Sequence, residues 1–168
     1  WLGNAAGTYS APTSVTLPLN RPVEIPVRIA PQATGVHSAI LTLDTPGAPG
    51  VEFRTQATIV AAQPLAADSG YKSEQKVEIA RPGMTHLYYR VPDGVSALRI
   101  DVAAPKRRPT VAIMRPVTRN VTGGAPAATT GQGPQTYWVQ APVAGVWEVR
   151  LQDVEDTRTF DWQQAKKD

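Results

Sequence analysis

Apolar and polar residues alternate along most of this chain, with no helical stretch between the alternating runs. The clearest run is Trp147-Glu148-Val149-Arg150-Leu151-Gln152, in which Trp147, Val149 and Leu151 share one face. Successive strand side chains point to opposite sides, so the run predicts a strand with one buried and one wet face. The pattern predicts an all-β protein, with any functional side chain on a sheet face or a loop.

Four strands are expected in the first part, over residues 15–19, 23–29, 35–43 and 51–60. The second puts Val23, Ile25, Val27 and Ile29 on one face, and Pro26, which has no N–H, either places it at a sheet edge or turns away from its partner. The third turns Ala39, Leu41 and Leu43 inward, and the fourth Val51, Phe53, Ala57 and Ile59. Residues 44–50 are rich in Pro and Gly and read as a loop. Residues 61–70 are small, polar and Pro-containing, and read as a linker or crossover. Beyond them seven short strands are expected, over 76–79, 86–91, 97–103, 110–114, 136–140, 145–152 and 157–162. Leu87, Tyr89, Val91, Leu98, Ile100 and Val102 point inward, and Arg99 and Asp101 outward. Residues 81–83 and 92–94 are turns, and 121–133, rich in Gly, Ala, Thr and Pro, a mobile loop. Strands at this spacing fit a β-sandwich or jelly roll. The organisation is a partial immunoglobulin-like β-sandwich at 1–62, a linker at 63–71, a second β-sandwich at 72–162 and a tail at 163–168. Four strands are few for a complete sandwich, and both ends look cut from a longer protein.

At 168 residues the chain is long enough for a real core. The formal charge is only +3. The one basic run, Lys106-Arg107-Arg108, sits between Pro105 and Pro109 and reads as a solvated turn, so nucleic acid is not an expected partner. There is no cysteine, which excludes disulfides and thiolate metal sites. No apolar run is long enough to span a membrane as a helix.

Candidate chemistry is sparse. The two histidines, His37 and His86, fall near strand starts and read as structural rather than catalytic. No Gly-x-Ser-x-Gly elbow and no subtilisin signature is present. No catalytic residue and no cofactor is therefore assigned. Two histidines without cysteine do not make a zinc site. Asp153, Glu155 and Asp156 offer three carboxylates between the last two strands, a weak calcium candidate against the plainer reading of an acidic turn. Asn120-Val121-Thr122 matches a glycosylation sequon. Trp138 runs out of phase with Tyr137 and Val139, and Tyr88 out of phase with Tyr89. Both are candidates for an exposed interaction surface, and burial between domains would explain them equally well. Trp147 and Trp162 are in phase with the core.

Two stretches resemble a known family. Gly35-Val36-His37-Ser38 through Asp44, continuing to Gly50-Val51-Glu52-Phe53-Arg54-Thr55, resembles a segment of the non-catalytic region of tripeptidyl-peptidase II, a subtilisin-like serine peptidase. Thr55-Gln56 stands where that family tends to have a proline after Phe-Arg. Pro82-Gly83, His86 and Val91-Pro92-Asp93-Gly94-Val95 are similar to a second motif of the same proteins in the same order. Pro142, Gly145 and Trp147-Glu148-Val149 resemble the closing strands of pre-peptidase C-terminal sandwiches. The resemblance implies an accessory region of a secreted bacterial subtilisin-like serine peptidase. Its partners would be the catalytic domain of the same polypeptide and, further, a protein substrate or further copies of itself. The alternative expectation is a carbohydrate- or cell-surface-binding module working through Trp138 and Tyr88.

Overall fold

The computed structural model describes residues 1–80, 82–103, 109–116, 119–120 and 135–153. It is all-β, with several sheets and no α-helix among the described residues. Two compact units divide the chain, Trp1–Ala61 and Ala62–Asp168.

In the first unit, β1 (Tyr9–Ser10) pairs with β2 (Arg28–Ile29), and β3 (Gly35–Leu43) pairs antiparallel with β4 (Phe53–Ala61). On its other side β3 bonds the start of the chain, with Leu2 and Ile40 exchanging two backbone hydrogen bonds of 2.9 Å. Tyr9 and Ala39 are the buried apolar residues here. Trp1 stacks on Tyr9 with ring centroids 5.2 Å apart. The Tyr9 hydroxyl donates to the His37 carbonyl at 2.7 Å, which ties β1 to β3.

Three expectations for this unit need correction. Residues 15–19 form no strand, and of 23–29 only Arg28 and Ile29 do. Pro18, Pro22 and Pro26 have the same parity, so one edge of any strand here lacks N–H donors at every second pairing position. Val51 and Phe53 are exposed, although Ala57 and Ile59 of the same face are half-buried. Period-2 patterning fixes which residues share a face, but not how far a covering layer extends along it.

The second unit is a two-layer sandwich. Its larger sheet runs in the order β5 (Gln63–Pro64), β6 (Gly83–Val91), β11 (Gly145–Asp153), β8 (Thr110–Arg115), β9 (Arg119–Asn120). Facing it, β7 (Ala97–Val102) pairs antiparallel with β10 (Gln135–Gln140). The pairings nest, β6 with β11 outside β7 with β10, the latter two in the other layer. Val91, Ile113 and Trp147 form the centre of the core, and Leu98, Ile100, Tyr137 and Val139 close over it from the smaller sheet. Trp147 is 2 % exposed, and its indole N–H donates to the Val143 carbonyl at 2.9 Å.

Residues 63–71 are more than a bare linker. Gln63 and Pro64 pair parallel to β6, Leu65 packs on the core, and Ala67–Ser69 form a 3-10 turn. Residues 76–79 form no strand. Val77 and Ile79 are the only apolar residues in a charged run, too few to pin a strand to a core. The expected strand at 157–162, Trp162, the basic run, and Glu155 and Asp156 lie outside the described residues.

Candidate functional site

Three groups of polar side chains stand out, one in the first unit and two on opposite outer faces of the second.

In the first unit, Thr8 Oγ1 lies 3.0 Å from His37 Nδ1, and His37 Nε2 lies 2.8 Å from the Ala33 carbonyl. A carbonyl only accepts, so Nε2 carries the proton and Nδ1 accepts from the Thr8 hydroxyl. A hydroxyl on a histidine whose far nitrogen is held has the outline of a nucleophile and its base. Thr8, however, is 3 % exposed. The pair borders a small cavity that Gly3, Asn4, Ala6 and Tyr9 also line, with no carboxylate among the lining residues, and it ties β3 to the chain before β1.

On the outer face of the larger sheet, His86 Nδ1 meets Glu148 Oε1 at 2.6 Å. The His86 and Tyr88 rings lie 14° from parallel, with centroids 6.4 Å apart. Burial, and then the Glu148 carboxylate, push the Tyr88 hydroxyl above its ordinary pKa; burial alone does so for Tyr89. Tyr88 is half-buried. Its register partner is Glu148, the carboxylate that meets His86.

The outer face of β7–β10 is different. Strand alternation sends Tyr137 and Val139 inward and leaves Trp138 outside, 58 % exposed. Trp138 stands opposite Arg99, and Thr136 opposite Asp101. The Arg99 guanidinium carbon lies over the Trp138 ring, 5.5 Å from its centroid. Arg99 Nε meets Asp101 Oδ2 at 2.9 Å, and the Thr136 hydroxyl donates to Asp101 Oδ1 at 2.6 Å. The Thr136 bond, the largest effect, holds the Asp101 carboxyl below the usual carboxylate range; desolvation opposes it, and the hydrogen bond and charge of Arg99 add to the lowering. The result is an exposed ring beside an ordered, charge-balanced polar row.

Trp138 and Tyr88 thus lie on opposite outer faces and do not form one surface. Sequence periodicity already turned Arg99 and Asp101 outward. Their meeting with Thr136 and Trp138 depends on pairing strands far apart in the chain, for which the sequence carries no local signal. Asp153 ends β11, its carboxylate outside the described atoms, and among the described residues no three metal-ligating side chains come together. No helix of the described residues is long and apolar enough to cross a membrane.

No curated protein and no solved structure matches the chain significantly. Residues 1–61, the whole of the first unit, match the family described as the Ig-like domain in actinomycete serine proteases. Over that part the chain is similar to a non-catalytic accessory domain of serine proteases, with a catalytic domain of the same polypeptide as its implied partner.

Proposed function

We propose that this chain is the accessory β region of a secreted subtilisin-like serine peptidase related to tripeptidyl-peptidase II, with catalysis performed elsewhere in the same polypeptide. The observation that carries the reading is the match of residues 1–61 to a serine-protease Ig-like domain. The state of the two histidines supports it: His37 is bound to a threonine that is almost fully buried, and His86 to a carboxylate. The role is to stabilise the catalytic domain, position protein substrate or build an assembly. The subtilisin type and the secreted location rest on the sequence resemblance described above.

The test has two arms. The 168-residue chain, incubated with a fluorophosphonate probe and a chromogenic peptide, should neither be labelled nor turn over substrate. The natural polypeptide that carries it should contain a labelled serine outside these residues. Removing the region should leave small-peptide turnover intact while speeding thermal inactivation or slowing cleavage of protein substrates. A serine labelled within the chain, or a carrier polypeptide without any labelled serine, defeats the reading.

A further inference from the structure

We propose that the outer face of β7–β10 is a binding platform for a neutral saccharide chain. This goes beyond the accessory role, which rests on the first unit; either can fail without the other.

The face is built as an apolar plate within a polar frame. Trp138, more than half exposed, supplies the plate, with the Arg99 guanidinium over one face of its ring. Around it, Asp101 accepts hydrogen bonds, Arg99 donates them, and Thr136 and the exposed Gln140 do both. A sugar ring has the matching division, a face of C–H groups and a rim of hydroxyls that donate and accept. Three of these polar groups, Arg99, Asp101 and Thr136, hold one another before a ligand arrives. Asp101 is fixed from two sides, by Thr136 and by Arg99. Little side-chain entropy is then left to lose on binding.

Size and charge separate a saccharide from other occupants. Thr136, Trp138 and Gln140 line one side of β10 over ~14 Å, at ~3.4 Å per residue, the length of a short oligosaccharide. Two strands ~4.8 Å apart give the strip an area on the order of 150 Å². A stable protein interface needs about 800 Å² per partner and a core depleted of charge. This strip is smaller and has an ion pair at its centre. That pair balances Arg99 against Asp101, so among the described residues this strip has no net charge, whereas nucleic acid would need a positive stripe.

The test is affinity electrophoresis of the full chain through gels containing neutral polymers (a β-glucan, a xylan, a galactomannan, glycogen) at low and high salt. We expect retardation by at least one, unaffected by salt. Trp138→Ala should weaken it about tenfold or more, and Asp101→Asn several-fold, with thermal melts unchanged. Tyr88→Ala, on the opposite face, should bind like wild type. Should Trp138→Ala melt early, Gln140→Ala carries the same expectation of weakened binding. Three results overturn the proposal. These are no retardation by any neutral polymer, retardation that salt abolishes, and wild-type binding by the Trp138 or Gln140 variant. Self-association that depends on Trp138 without polymer binding would assign the face to a second copy instead.

Discussion

Trp147→Ala probes the packing of the second unit at its centre. Trp147 lies on β11, which bonds β6 on one side and β8 on the other, and its ring joins Val91 and Ile113. A buried tryptophan removes about 150–250 Å² from water. At ~25 cal/mol per Å² that is about 4–6 kcal/mol, an upper bound because the unfolded chain already hides part of this area. Truncation also strands the Val143 carbonyl that the indole N–H serves at 2.9 Å, worth about 1 kcal/mol. Large aromatic truncations in cores cost ~3–5 kcal/mol, a large share of the ~5–15 kcal/mol of a whole domain. Chemical and thermal denaturation followed by near-ultraviolet circular dichroism should therefore show a loss of at least about 3 kcal/mol. For a unit of this size the midpoint would fall by roughly 12 °C or more. Trp147→Phe keeps most of the volume but loses the N–H, and should cost about 1–2 kcal/mol. Trp138→Ala, on the exposed face of the other sheet, should stay within about 0.5 kcal/mol of wild type. A Trp147→Ala chain within about 1 kcal/mol of wild type would refute the assignment of this face to the core.

Gly145 has φ +132°, and a Cβ there would sit 2.8 Å from Pro116 Cγ and 3.3 Å from its Cβ. Because the proline ring yields little, Gly145→Ala should destabilise by about 1–3 kcal/mol in the same melts, and a neutral result would show that the turn into β11 relaxes freely. Thr8→Val keeps the shape but removes the hydroxyl that bonds His37 Nδ1, so a loss of about 1–3 kcal/mol is expected; unchanged stability would mean that water replaces the bond. Because the Asp101 pKa is depressed in the fold, its contribution is present above the unfolded value of about 3.9 and is lost as pH falls through the folded one. A carboxyl NMR titration should place its midpoint below that of Asp101 in the Thr136→Val variant, and identical midpoints would discard the Thr136 bond as the cause. The Tyr88 and Tyr89 pKa values are raised, so their contribution holds below the unfolded value of about 10 and is lost as pH rises through the folded ones. Tyr89→Phe should therefore shift alkaline unfolding to higher pH, and an unmoved transition would exclude tyrosine ionisation as its trigger.

Local alternation sets the strand class and, where it is clean, which side chains point inward. Trp147, Val149 and Leu151 are buried on β11, and Leu98 and Ile100 are turned to the core while Arg99 and Asp101 are not. Alternation is a property of the backbone geometry of each strand, so it can be read locally. It failed where local pattern and hydrogen-bonding capacity disagreed, as at Pro18, Pro22 and Pro26, and where a strand's expected inner face lacked a cover, as at Phe53. Tyr9, with polar neighbours and a two-residue strand, gave no periodic signal, yet it is the main buried side chain of its unit because its hydroxyl reaches the His37 carbonyl. Pairing has no such local origin. Setting β7 against β10 is a long-range choice made by the shared core beneath them. It alone brings Trp138 onto Arg99 and Thr136 onto Asp101, and separates Trp138 from Tyr88 by the thickness of the sandwich.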